Sequence, residues 1–227
     1  MVTPIVFIGD SITEAWGFHR QATFAAHDLI PRGGSGQTAR WITMRFRRDL
    51  EETGAQGVHL LCGVNDIGRN EGFFVPAEDI ARTLAGMLDE ARALGVTAWV
   101  GSILPAARIP WNPAVPDAPA MIAAVNAWLR EHAHEHGATF IDYHAVLADE
   151  FGALRRAYTT DGLHLSPAGY QAIEPLMLSA LGRMPAGDTL QASGGATGRT
   201  FGRRWRAVLA AAVTVFIAGL VLMLVLR

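Results

Sequence analysis

Lysine is absent from this chain: all nineteen basic residues are arginine. With abundant alanine and glycine, that bias reflects a GC-rich coding sequence and not a function. Cysteine is nearly absent. Cys62 stands alone, which excludes an internal disulfide, and its place in an apolar run marks it as core packing and not as a nucleophile. There is no excess of positive charge either. A formal net charge of −2 over 227 residues offers no footprint for nucleic acid. No internal repeat is evident. No signal peptide is visible, because Met1-Val2-Thr3 leads straight into the first apolar run.

What the chain has in excess is apolar residues, half of the total, and the excess is local. Residues 207–226 carry no charge. As a helix they would rise about 30 Å, the thickness of a bilayer's hydrocarbon core. The expected organisation is a globular domain over 1–182, a flexible linker with a basic flank over 183–206, and one transmembrane helix over 207–226. Arg199, Arg203, Arg204 and Arg206 precede the span and only Arg227 follows it. The positive-inside rule then puts the globular domain in the cytoplasm, on a C-terminal tail anchor.

Within the globular part, short apolar runs alternate with longer amphipathic stretches. Strands are expected at residues 5–8, 27–31, 58–61, 96–100 and 139–141. Helices are expected at 12–26, 38–53, 77–94, 120–136 and 167–181. In the second helix Ile42, Phe46 and Leu50 recur at helical spacing, and Gly54 is placed to end it. Pro167 suits a first helical position. Alternation of this kind predicts a parallel sheet covered by helices on both faces, an α/β three-layer sandwich. In such sheets the functional site forms at the carboxyl ends of the strands.

Four segments at those ends carry chemistry. Gly9-Asp10-Ser11-Ile12 presents a serine where a strand turns into a helix, so its own amide can face a developing oxyanion. The stretch from Arg32 to Thr38 is glycine-rich and includes Gly36. Gly63-Val64-Asn65-Asp66 offers a side-chain amide. Asp161-Gly162-Leu163-His164 supplies a carboxylate and an imidazole three positions apart. Serine, histidine and aspartate with nearby N–H donors are the groups that nucleophilic acyl transfer requires.

In this order the four blocks resemble the SGNH (GDSL) hydrolase family over roughly residues 4–180. The family's Ser, Gly, Asn and His fall on Ser11, Gly36, Asn65 and His164. The resemblance implies a five-stranded parallel sheet of strand order 2-1-3-4-5. It implies Ser11 as nucleophile, His164 as general base and acid, and Asp161 as its orienting acid. Ser11, Gly36 and Asn65 would form the oxyanion hole. Asp10 and Asp66 are expected to support the loops through hydrogen bonds to backbone amides. The implied chemistry is hydrolysis of carboxylic esters or thioesters through an acyl-enzyme, with no metal or organic cofactor. An apolar span shifts the expected substrate toward lipid-like or lysophospholipid esters; carbohydrate O-deacetylation is the alternative. A non-catalytic binding module of this fold should lack Ser11, Asn65 or His164, and none is missing.

Three other features invite a role. His132, His134 and His136 form an HxHxH run, with His132 and His136 at i, i+4 if the helix continues; the bland reading is polar residues at a helix end before Gly137. A loop with five prolines between residues 102 and 119 could wall the acyl site or simply connect elements. Phe73-Phe74 could form the opposite wall.

Overall fold

The computed structural model describes residues 3–183. The expected transmembrane helix at 207–226, and all of the expected linker except Arg183, lie outside the described residues. Among the described residues no helix is long and apolar enough to cross a membrane.

Five parallel strands, β1 (Ile5–Gly9), β2 (Leu29–Gly33), β3 (Gly57–Leu61), β4 (Thr97–Gly101) and β5 (Ala138–Ile141), form one sheet in the order β2-β1-β3-β4-β5. Every residue of β1 and β3 is buried, as expected for central strands covered on both faces. The connecting helices are α1 (Ser11–His19), α2 (Gln21–Ala26), α3 (Ala39–Thr53), α4 (Val64–Ile67), α5 (Ala77–Ala93), α6 (Ala118–His132), α7 (Tyr143–Leu147) and α8 (Pro167–Ala180).

Local chemistry explains where these helices begin and end. The Asp10 side chain accepts from the Ile12 amide and caps α1. Thr38 and Ser166 cap α3 and α8 in the same way, and Gly54 ends α3 in the left-handed conformation. On α5, Glu78 and Asp79 occupy the first turn and Arg92 the last, matching the helix dipole.

The sheet's centre packs an aromatic cluster. Phe7 stacks on His59 with centroids 4.3 Å apart, and Trp16, Phe24 and Tyr143 close around them. His59 Nε2 lies 2.8 Å from the Tyr143 hydroxyl. Burial drives the His59 pKa down to about 3, so the ring is a neutral core residue.

Two expected elements need correction. The single helix over 12–26 is two helices, because Arg20 breaks the first turn of α2 from α1 and forms a bidentate pair with Glu174, at 2.6 and 2.7 Å. The helix over 120–136 starts earlier, at Ala118, with Pro119 in its first turn, and stops at His132; residues Ala133–His136 tighten into a 3-10 turn before Gly137. His132 and His136 therefore do not share one α-helical face. His132 lies 3.3 Å from Glu135, His136 lies 3.0 Å from Asp89, and both rings pack on Trp128. Among the described residues no cluster of three or more His, Cys, Asp or Glu has metal-binding geometry.

Candidate active site

With strand order 2-1-3-4-5, the chain reverses its direction of winding at β1 and β3, and a crevice opens beyond their carboxyl ends. Ser11 follows β1, Gly36 follows β2 and Asn65 follows β3. All three line one open cleft of about 250 Å³ together with Ser35, Asn70, Trp111 and His164.

Ser11 is the first residue of α1. Its amide has no partner in the preceding turn, as for every helix start, and the dipole favours negative charge there. The close approach of strand and helix depends on Gly9. A Cβ there would come within 2.1 Å of Thr13 Oγ1 and 2.2 Å of the Leu61 carbonyl oxygen. The turn can therefore be this tight only with glycine before Asp10-Ser11.

His164 reaches the cleft from the loop before α8. Its Nε2 lies 3.1 Å from Ser11 Oγ. On the other side of the ring Nδ1 lies 2.6 Å from Asp161 Oδ2. Asp161 Oδ1 accepts from the backbone amides of Leu163 and His164, at 2.9 and 2.8 Å, so the turn fixes carboxylate and ring together. Thr159 Oγ1 donates to the His164 carbonyl at 2.7 Å and accepts from the Gly162 amide at 3.0 Å. Burial alone would raise the Asp161 pKa. The His164 ring and the two amides outweigh it and hold the carboxyl below its ordinary value.

The donor side of the cleft is equally constrained. Gly36 has φ +75°, a conformation that L side chains rarely adopt. The Gly36 amide bonds to no backbone carbonyl among the described residues. Asn65 sits on the single turn α4 and is 2% exposed. One Asn65 amide proton goes to the Gln37 carbonyl at 2.9 Å, and its Oδ1 accepts from Asn70 Nδ2 at 2.9 Å. That network fixes which end of the Asn65 amide is the donor and leaves a second N–H for a substrate oxygen.

Sequence reading missed Asn70. Its Nδ2 also donates to the Gly36 carbonyl at 3.0 Å, and its Oδ1 accepts from Trp111 Nε1 at 2.6 Å. One side chain therefore ties the Gly36 loop, Asn65 and the proline-rich loop together. No local signal marks it, since Gly36 and Trp111 lie 34 and 41 residues away. Arg45 was missed too. It donates to the Gly9 carbonyl at 3.0 Å and to Gln37 Oε1 at 2.8 Å, and pairs with Asp49, clamping the end of β1 to the Gly36 loop.

The proline-rich loop does wall the cleft: Trp111 lines it, and Asn112 donates to the Gly68 carbonyl at 3.1 Å. Phe73 and Phe74 do not. The chain turns away at Arg69, φ +59°, and Gly72, φ +84°. Phe73 then joins Met44 and Val75 in a separate groove, and Phe74 lies beneath the Arg69 guanidinium.

Two buried carboxyls support the loops. Asp66 Oδ2 accepts from the Ala39 amide at 2.9 Å, joining the Asn65 block to the start of α3. Burial raises Asp66 to about 6, against the pull of that amide. Burial raises Asp10 further, to about 7, with the Ile12 amide opposing and the Asp66 charge adding. Burial and then these two carboxyls push the Cys62 thiol well up, which leaves it protonated and inert.

The arrangement therefore offers a hydroxyl, an imidazole and a carboxylate in line, beside N–H donors converging on one cleft. The family model of the GDSL-like Lipase/Acylhydrolase family matches residues 7–172. A candidate acylhydrolase from Bacteroides fragilis is 33% identical in sequence, with a TM-score of 0.76, over 80% of this chain and 87% of its own. A GDSL-like lipase from Bacteroides thetaiotaomicron is 32% identical, with a TM-score of 0.75, over 80% of this chain and 88% of its own. An acetyl-xylooligosaccharide esterase from Geobacillus shares the fold at 20% identity and a TM-score of 0.63, over 79% of this chain and 94% of its own. Comparison with curated proteins finds no match. With the family match spanning the sheet, the serine turn and the histidine turn, the chain belongs to the GDSL-like lipase/acylhydrolase family and is an ester hydrolase.

Proposed function

We propose that the chain hydrolyses carboxylic esters through a Ser11 acyl-enzyme, on lipid-like substrates at a membrane surface. The observation that carries this reading is the Ser11–His164–Asp161 relay, with its links of 3.1 and 2.6 Å.

Ser11 Oγ attacks the ester carbonyl carbon while His164 Nε2 takes its proton. The carbonyl oxygen becomes an oxyanion facing the Ser11 and Gly36 amides and Asn65 Nδ2. Asp161 keeps Nδ1–H toward itself and stabilises the imidazolium. The carbon–oxygen bond to the alcohol then breaks, and His164 returns the proton to the departing oxygen. Water, deprotonated by the same ring, attacks the acyl-enzyme and releases the acid. Ser11 recovers its proton. A thioester would follow the same steps with sulfur leaving.

The apolar stretch at 207–226 supports a membrane anchor, and with it the lipid-like substrate. The arginines before it support a cytoplasmic catalytic domain. A second reading, O-deacetylation of carbohydrate, is favoured by the cleft itself: about 250 Å³ is below the usual size of a drug-sized ligand pocket and suits a short acyl group.

A hydrolysis screen separates the two. p-Nitrophenyl esters from acetyl to palmitoyl would be assayed beside lysophospholipid and acetylated sugars. The lipid reading expects rates to rise with chain length and lysophospholipid to be cleaved. Activity confined to acetyl esters would replace it with the deacetylase, and no turnover of any ester would overturn both.

A further inference from the structure

The turn that carries the relay has two sides. His164 lines the small cleft, whereas Asp161 and Gly162 line a separate open groove of about 680 Å³. The proline-rich loop divides in the same way: Trp111 lies in the cleft and Arg108 in the groove. The same pair of loops thus lines both cavities, and the second is more than twice as large as the first.

The groove also carries unspent positive charge. Arg108 and Arg156 both line it, and neither makes a hydrogen bond or ion pair among the described residues. The groove's two carboxylates are already engaged. Asp161 accepts from the His164 ring and two amides, and Asp149 Oδ1 accepts from the amides of Phe151 and Ala153, each at 2.9 Å. An incoming anion would therefore meet two guanidiniums with unused N–H donors, beside two carboxylates already held by N–H donors of their own loops.

Chemistry says which part of the substrate reaches this side. The proton that His164 Nε2 returns goes to the departing alcohol oxygen, so the alcohol portion of the ester must sit against His164 while the acyl portion stays with Ser11 and the oxyanion donors. We infer that the groove receives the alcohol portion, and that this portion bears an anionic group, phosphate or carboxylate, held by Arg108 and Arg156. The inference rests on His164 being the proton donor of the proposed esterase. It makes the preferred substrate an ester of an acidic alcohol. Planar guanidiniums suit both anions, because each offers a fork of N–H donors to paired oxygens.

The test uses butyryl esters of glycerol, glycerol 3-phosphate and glycerate, with p-nitrophenyl butyrate as a control lacking an anionic alcohol. The full chain should prefer one of the anionic esters over butyryl glycerol by about tenfold or more in kcat/KM, and added salt should erode the preference. Arg108→Ala and Arg156→Ala should each lower kcat/KM on that ester about tenfold, mainly through KM, and leave p-nitrophenyl butyrate unchanged. Preference for the phosphate ester would identify a phosphorylated alcohol, and preference for the glycerate ester a hydroxy acid. Equal rates on all three, unaffected by the arginine variants, would overturn the groove assignment while leaving the esterase intact. Turnover of p-nitrophenyl butyrate with none of the glyceryl-type esters cleaved would do the same. Absence of turnover on every ester, p-nitrophenyl butyrate included, would instead overturn the esterase reading beneath it.

Discussion

Replacing Ser11 by alanine removes one hydroxyl and none of the capping or packing that shapes its turn, since Asp10 caps α1 and Gly9 sets the close approach. Turnover should fall by several orders of magnitude with an unchanged circular dichroism spectrum, and a fluorophosphonate probe should label the native chain at Ser11 and miss the variant. Native-like rates from a folded Ser11→Ala chain would remove Ser11 as nucleophile. Asn65 and Asn70 make a finer test. Asn65→Ala deletes a donor to the oxyanion and should lower kcat about a hundredfold or more with little change in KM. Asn70 touches no reacting atom in the proposed mechanism; it is a positioning residue that holds Asn65 Oδ1 and the Gly36 carbonyl. Asn70→Ala should cost less, about tenfold, and the double variant should be little slower than Asn65→Ala alone, because one residue acts through the other. Multiplying losses in the double variant would mean that Asn70 works independently of Asn65.

At the scale of elements, the N-terminus of α1 sets an acid–base dependence of stability. Asp10 caps that helix from a fully buried position, and burial raises its folded pKa from an ordinary 3.8 to about 7. A group raised on folding favours the folded state most when protonated in both states. Its stabilising share is therefore complete below about pH 4 and is lost as pH climbs toward 7. Asp66, raised to about 6, acts in the same direction. Asp161 is held low and acts oppositely, but only below the usual carboxylate range. Asp10→Asn keeps a capping side chain without the charge, so melting temperatures at pH 5 and pH 8 should lie closer together in the variant than in the native chain. An unchanged gap would show that Asp10 does not ionise across that interval. The elements themselves were largely legible. Gly54, Gly137 and Pro167 mark helix ends by local backbone chemistry, and the five apolar runs fall within a few residues of the strands. What escaped reading depends on distant partners. The break at Arg20 is held by Glu174, 154 residues on, and the one-turn helix that presents Asn65 is too short to show periodicity. The serine, and the aspartate and histidine together, were readable because each of the two motifs occupies one short turn. The groove beside them was not, because Arg108 and Arg156 meet only in three dimensions.

For the whole molecule, the family match ends at residue 172 and α8 closes the described fold at Ala180. Every cleft residue lies before that point. A chain stopped after Met184 keeps the sheet, all eight helices and the relay, so it should be soluble and hydrolyse p-nitrophenyl esters with native kcat/KM. The complete chain should behave differently. Residues 207–226 are uncharged and long enough for a bilayer, so it should sediment with membranes and resist carbonate extraction. Arg199, Arg203, Arg204 and Arg206 on one flank against Arg227 on the other predict that the catalytic domain stays cytoplasmic. Protease added to intact spheroplasts should therefore leave the domain uncut, and digest it once the membrane is breached. Digestion in intact spheroplasts would place the domain outside the cell membrane. The Ser11 chemistry would stand, but the esters available to it would be those of the envelope. Release of the complete chain by carbonate would remove the anchor itself, and with it the main argument for lipid-like substrates over acetylated carbohydrate.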